Sequence, residues 1–215
     1  MSLDSARTAG TAAPAAPWPP QAVTLQGESV RLEPLSSAHL SGLRDAIADG
    51  ALHTLWYTIV PAPESLDAWI TTSLKAREAG AALPFVVRRL RDERIVGSTR
   101  FMNIEPAQRR LEIGTTFYSA SVQRSALNTE CKRLLLAHAF EALHCLAVEF
   151  RTHWFNHRSR EAIARLGAKQ DGVLRNHQRL PDGSLRDTVV FSIIDSEWPA
   201  VRRHLQVRQA RLPAP

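Results

Sequence analysis

Three stretches of the chain combine residue types and spacing that could carry chemistry. The first is Gln123-Arg124-Ser125-Ala126-Leu127-Asn128-Thr129, continuing through Glu130, Cys131 and Lys132. Before it, Leu111, Ile113, Thr115 and Phe117 alternate with Glu112, Gly114, Thr116 and Tyr118, a strand period with a carboxylate on one face. After it, Ala126 to Leu143 reads as a helix with Glu130, Arg133, Glu141 and His144 on one polar stripe and the remainder apolar enough to be buried. Ser125 is a good residue to cap that helix. A strand, a short turn and a helix start leave backbone N–H groups facing outward, and Arg124 adds a full positive charge. The chemistry implied is anion binding, although many α/β proteins bury a helix after a strand with no ligand. The second stretch is Asn156-His157-Arg158-Ser159, an N-cap residue with a hydroxyl in the first helical turn. The third is Leu52 to Val60, irregular and aromatic, with Trp56 and Tyr57.

The elements that must position these groups follow from periodicity and punctuation. Val23 to Leu25 and Val30 to Leu35 read as two short strands around Gly27. Ser36 or Ser37 starts a helix from Ala38 to Ala48, and Glu64 to Ala79 is a second helix, with Leu66, Trp69, Ile70 and Leu74 as its stripe. Pro84 to Leu90 and Arg94 to Asn103 form a hairpin through Arg91-Asp92-Glu93. Ala147 to His153 alternates and is the strand after the long helix; Asn156 caps a helix to Leu166, ended by Gly167. Val173 to Arg175 and Asp187 to Ile194 are strands around the turn Pro181-Asp182-Gly183, and Trp198 opens a last helix. No internal repeat is visible.

The blocks Leu111-Glu112-Ile113-Gly114, Gln123 to Glu130, Asn156 to Ile163, Arg165-Leu166-Gly167-Ala168 and Asp187 to Ile193, in that order and spacing, resemble the GNAT acetyltransferase superfamily, in its RimJ/RimL-like branch. With a weaker match from Val23, the resemblance spans all but the two tails. It implies one α/β domain with the GNAT acyl-CoA N-acyltransferase fold: a mixed, twisted sheet of about seven strands, splayed at its centre, with helices on both faces. It also implies acetyl-CoA as co-substrate and transfer of the acetyl group to a primary amine, either a protein N-terminus or a small molecule, by direct attack in a ternary complex. Ser125 and Ala126 stand where the family has a Gly-rich turn, and both are small enough to keep a close backbone approach.

Residue by residue, the resemblance places the donor's pyrophosphate on Gln123, Arg124, Ser125, Ala126, Leu127, Asn128 and Thr129. The thioester carbonyl would meet a main-chain N–H near Thr116 or Phe117. Glu112 is the candidate general base, direct or through a water; a carboxylate on such a strand can equally pair with an arginine. No tyrosine follows the long helix, so Ser159 of the Asn-x-x-Ser motif is the candidate proton donor to the thiolate, with Asn156 on the pantetheine or simply capping the helix. Trp56 and Tyr57, with Glu112, are the candidate acceptor-site residues; ordinary core aromatics are the alternative.

Composition narrows the rest. At 215 residues, with 44% hydrophobic and 22% charged, the chain is an ordinary globular domain. The formal net charge is +6, to which four arginines after Val201 contribute most, so a specific nucleic-acid partner is not expected. Cys131 and Cys145 give no disulfide framework, which fits a cytoplasmic protein. His153, His157 and His177 form no Cys/His cluster, and no metal is expected. There is no signal-peptide or membrane-spanning stretch, so no membrane partner is expected. The expected organisation is an Ala/Pro-rich flexible tail over 1–22, the catalytic domain over 23–205 and a basic tail over 206–215. Dimerisation, common in the branch, is expected by resemblance alone. Two other functions remain open: a GNAT-fold protein that holds acyl-CoA without turnover, and a nucleic-acid-associated protein using the C-terminal arginines.

Overall fold

A computed structural model describes residues 16–213 of the chain. Its strands are β1 (Leu25–Gln26), β2 (Val30–Pro34), β3 (Ala82–Arg89), β4 (Arg94–Glu105), β5 (Arg110–Tyr118), β6 (Ala147–His153), β7 (Lys169–Arg179) and β8 (Leu185–Ile194). The helices are α1 (Leu40–Ala48), α2 (Leu66–Glu78), α3 (Leu127–Ala137), α4 (His157–Ala164) and α5 (Trp198–Arg211). Among the described residues the strands form one open eight-stranded sheet, ordered β1-β2-β3-β4-β5-β6-β8-β7. All neighbours are antiparallel except β5 and β6. The parallel pair needs a crossover, and α3 provides it.

One face of the sheet carries the larger core. Leu111, Ile113, Val148 and Phe150 meet Leu127, Cys131, Leu135 and Leu136 of α3, with Trp198, Val201 and Leu205 of α5. The other face holds a smaller core of Leu35, Leu43, Ile47, Leu66, Ile70, Val86 and Phe117, built on α1 and α2. Layers on both faces are what the alternation within each strand requires.

The sheet's defining irregularity lies at its middle. β5 and β6 pair at Arg110–Ala147, Leu111–Val148 and Glu112–Glu149, and no further, although β5 runs on to Tyr118 and β6 to His153. Two features hold them apart. A bulge shifts β5 against β4, so that Ser98 faces Phe117 while Arg100 faces Gly114, and Thr115 inside it takes a left-handed φ of 46°. β6 keeps an unbroken antiparallel register with β8 from Ala147–Ile194 to His153–Thr188. Each strand follows its other neighbour, and the sheet splays.

Several details differ from the sequence reading. The long helix is α up to Ala137 and then widens into a π-helical turn over His138–Ala142, which buries both Ala139 and Phe140. Glu130 is not on a solvent stripe but fully buried, whereas Glu141 and His144 are exposed. α3 is capped from within its turn: Ser125 Oγ accepts the Leu127 N–H at 3.3 Å and donates to the Val122 carbonyl at 2.7 Å. β7 is an eleven-residue strand rather than three residues, because β8 pairs with it on both sides of its register shifts.

The boundaries drawn at residues 22 and 205 cut through packed structure. Residues 1–15 and 214–215 lie outside the described residues. Ala16 N–H donates to the Ala142 carbonyl at 2.8 Å, and Trp18 Nε1 donates to the Leu143 carbonyl at 3.0 Å. At the other end α5 continues to Arg211, and Pro213 offers its carbonyl to the Ala126 N–H at 2.9 Å. Apolar and hydrogen-bonding contacts, which composition does not reveal, set both limits.

Glu130 fixes α3 to the β1–β2 turn. Its carboxylate accepts the N–H groups of Glu28 (2.5 Å) and Ser29 (3.2 Å) and the Ser29 hydroxyl. The first turn of a helix also favours a negative charge. A Cβ on Gly27 would overlap Glu130 Oε1. Gly27→Ala should therefore cost about 2 kcal/mol or more in urea unfolding, because it displaces a buried carboxylate from its donors. A midpoint equal to wild type would show that the turn can move aside.

Candidate active site

A cavity of about 300 Å³ occupies the gap between β5 and β6. Ile113 to Tyr118 form one wall and Phe150 to His153 the other. Gln123, Asn128 and Lys132 come from the turn and the face of α3, and Asn156, Arg158 and Ser159 from the start of α4. The segment Leu52 to Val60 and Arg186 of β8 complete it. Asn128 and Lys132 share one helical face four residues apart.

The start of α3 carries the anion-binding geometry in modified form. Arg124 adopts a left-handed φ of 62°, which turns the chain from β5 into the helix. The Ala126 N–H is engaged by Pro213 and the Leu127 N–H by Ser125 Oγ, leaving those of Arg124, Ser125 and Asn128 without a partner among the described residues. Gln123 Nε2 donates to the Tyr118 carbonyl at 3.1 Å, tying the turn to the end of β5. At α4, Asn156 Oδ1 accepts the Ser159 N–H at 3.0 Å, an N-cap that aims the Ser159 residue into the cavity. The Ser159 hydroxyl makes no hydrogen bond to the described residues, which leaves it available.

Glu112 stands on the opposite face of β5 from α3, nearly buried. Oε2 accepts Asn103 Nδ2 at 2.7 Å and lies 3.6 Å from Arg151 Nε. Oε1 faces the space above Gly114, where a Cβ would come within 2.8 Å of it. Gly114 lines the cavity whereas Glu112 itself does not, and a side chain at Gly114 would meet both the carboxylate and Met102 Sδ. Burial raises the Glu112 pKa, opposed by Arg151 and the Asn103 hydrogen bond. A carboxylate held above its ordinary range suits proton abstraction near neutral pH.

Of the residues singled out from sequence, Tyr57, Thr116, Phe117, Gln123, Asn128, Asn156 and Ser159 line the cavity. Arg124, Ser125, Ala126, Leu127 and Thr129 shape the turn and helix start without lining it. Trp56 stands at the mouth, 54% exposed, its ring centroid 4.9 Å from His153 and 5.6 Å from Tyr57. His153 and His157 are four residues apart but sit at a strand end and a helix start rather than on one helix face. Among the described residues no group of three metal-ligating side chains occurs.

Sequence reasoning passed over Lys132, Arg151 and Arg186. Lys132 is the least expected: a buried ammonium donating to Thr116 Oγ1 at 2.7 Å and Thr99 Oγ1 at 3.3 Å, beneath the β5 bulge. Its signal was a lysine on the helix face assigned to the core. Burial pulls its pKa down from 10.5 to about 8. The folded state thus binds this proton more weakly than the unfolded chain. The resulting burden is absent above pH 10.5 and complete below pH 8, worth roughly 3 kcal/mol. Relative to Lys132→Met, wild-type unfolding free energy should rise as pH goes from 8 to 10.5; a pH-independent difference would mean that the site stays solvated.

A comparison with curated proteins returns no match. Among solved structures, a GCN5-related N-acetyltransferase from Brucella melitensis is 29% identical, with TM-score 0.80 over 89% of this chain and 87% of that one. Mycobacterium smegmatis RimJ in complex with CoA-disulfide is 22% identical, with TM-score 0.73 over 91% and 97% of the two chains. The ribosomal-protein-S5-alanine acetyltransferase of Vibrio fischeri is 16% identical, with TM-score 0.66 over 82% and 98%. The last two are similar to this chain in fold. Residues 29–169 match the acetyltransferase (GNAT) domain, and the chain belongs to that family of acyltransferases.

Proposed function

We propose that the protein moves an acetyl group from acetyl-CoA to a primary amine by direct attack while both are bound. The observation that carries this reading is the parting of β5 and β6 just beyond Glu112 and Glu149, which opens a cavity lined by Gln123 and Asn128 together with His153 and Arg186. The unpaired edges of two strands can receive an amide-bearing chain such as the donor's pantetheine arm. The turn from Gln123 to Asn128 would hold the pyrophosphate, chiefly through the N–H groups of Arg124, Ser125 and Asn128.

In the reaction the amine nitrogen bonds to the acetyl carbon, the carbon–sulfur bond breaks and the amine's proton departs. Glu112 is the base for that proton, and its Oε1 reaches the cavity over Gly114 through a water. Ser159, with its free hydroxyl, returns a proton to the leaving thiolate. Main-chain N–H groups at Thr116 and Phe117, turned by the bulge, polarise the carbonyl. Two buried, unpaired thiols fit a reducing, cytoplasmic site of action. The acceptor, on this reading, is a protein N-terminal amine or a small-molecule amine.

Acetyl-CoA at a hundredfold over its dissociation constant should add about 2.7 kcal/mol of stability, read as a rise in melting temperature. No rise at saturation would end the reading. With an accepted amine, Glu112→Gln should lower kcat/KM by about 10²-fold or more and remove the acidic limb of its pH profile. An unchanged rate and profile would take Glu112 out of the mechanism. Ser159→Ala should lower kcat about tenfold or more while leaving donor affinity intact, and normal turnover would end its role.

A further inference from the structure

The cavity also holds cationic and donor groups that acetyl transfer alone leaves unexplained. Along β6, Glu149, Arg151 and His153 alternate with Val148 and Phe150, which belong to the α3 core. Their side chains therefore stand on the other face of the sheet, with Glu112 and away from the start of α3. Arg151 is compensated, since it pairs with Glu149 at 2.8 Å and with Glu112 at 3.6 Å. Arg186 is not. It lines the cavity, half-buried, and its only hydrogen bond to the described residues is from Nε to Thr188 Oγ1 at 3.1 Å. No carboxylate of the described residues lies within 4.0 Å of its guanidinium. Burial lowers its pKa, opposed only by the more distant charge of Glu112.

His153 supplies an independent sign of a missing partner. It is 2% exposed and lines the same cavity. Its Nδ1 accepts the Phe155 N–H at 3.1 Å, which leaves the ring proton on Nε2. That Nε2 is buried and has no hydrogen-bond partner. Burial and neighbouring Arg186 hold the imidazole neutral, so Nε2–H is a donor without an acceptor. Leaving a buried donor unsatisfied is destabilising, a reason to expect an acceptor in the working complex.

Resting on the acetyltransferase reading, we infer that the acceptor amine carries a carboxylate, which Arg186 and the His153 Nε2–H receive. One guanidinium and one neutral N–H match a monoanion rather than a phosphate dianion. Glu112, lying near enough to Arg186 for each to shift the other's pKa without touching it, makes the site dipolar. A dipolar site with an acid at one end and a guanidinium at the other matches the zwitterion of a free amino acid. The amine is directed toward Glu112 and the carboxylate toward Arg186, with Tyr57 and Trp56 beside the side chain. The products are then an N-acetyl amino acid and the thiol of CoA; of the two protons that the ammonium gives up, one returns to sulfur and the other leaves to solvent.

The test uses the full-length protein and matched pairs. Thiol release from acetyl-CoA is measured with L-leucine against L-leucinamide and L-phenylalanine against L-phenylalaninamide. The CoA-loaded protein is also titrated calorimetrically with N-acetyl-L-leucine and its amide, which reads the site without turnover. The acid of each pair should exceed the amide by at least about tenfold in kcat/KM and in affinity. Arg186→Gln should erase that preference with melting temperature and CoA affinity unchanged, and Arg186→Lys should restore part of it. Equal or better use of the amides, or a preference that survives in Arg186→Gln, overturns the inference. Peptides with a free N-terminus and an amidated C-terminus that outrun every amino acid would leave the transferase reading standing and sink this one. Should no amine be acetylated, the transferase reading fails, and the titration alone decides the carboxylate site.

Discussion

The structure depends on a failure of pairing. Two parallel strands run side by side for three residues and then part, leaving backbone donors and acceptors unpaired in the middle of a sheet. Such groups normally cost free energy when buried, so an interior gap persists only where the surrounding structure holds it open. Here β8 holds β6 along its whole length, while a bulge with a left-handed threonine turns β5 toward β4. Lys132 adds a polar support beneath that bulge. Its ammonium, with the Thr99 and Thr116 hydroxyls, satisfies groups that neither sheet nor helix would satisfy. The gap is a product of the two outer registers, not of either inner strand.

From that gap comes a division of labour between the faces of the sheet. The α3 face presents the helix start, Asn128 and Lys132. The opposite face gathers Glu112, Arg151, His153 and the aromatic mouth of Trp56 and Tyr57. The alternation of β6 is enough to create the division, since neighbouring residues such as Phe150 and Arg151 must point to opposite sides. Glu149 stabilises the second face without entering the cavity, taking hydrogen bonds from Arg110 and Arg151 that hold its pKa low despite burial. An arginine that is fully engaged and one that is not thus stand within the same small volume.

The sequence conveyed the elements better than the site. β6 could be read to the residue, since its alternation is clean and its ends are marked. Asn156 as the α4 cap and the left-handed Gly167 at the end of that helical segment were equally legible, because caps are local chemistry. Glu130 and Lys132 were not. Glu130 fell on the stripe that helical period gives to solvent and Lys132 on the face given to the core; only partners distant in the chain, Ser29 and Thr116, make the burial of either tolerable. The free donor of His153 was invisible for the same reason, since an unsatisfied atom is defined by what surrounds it. The chain limits failed differently: Trp18 looked like part of a proline-rich tail, yet its indole donates to the Leu143 carbonyl.

The outer strand β7 has a bearing on how the molecule behaves among its own copies. It closes one edge of the sheet with eleven residues whose other side has no strand partner among the described residues, and a long bare edge is a template for intermolecular cross-β growth. Its register shifts twice against β8, between Gln170 and Gly172 and between Leu174 and Gln178, and its residues include Lys169, Asp171, Arg175, Asn176 and Arg179. Kinks and charge of this kind keep a second chain from docking in register. Among the described residues the edge is thus guarded by its own kinks and charges, and replacing these polar residues with β-branched ones would turn the strand into an aggregation seed.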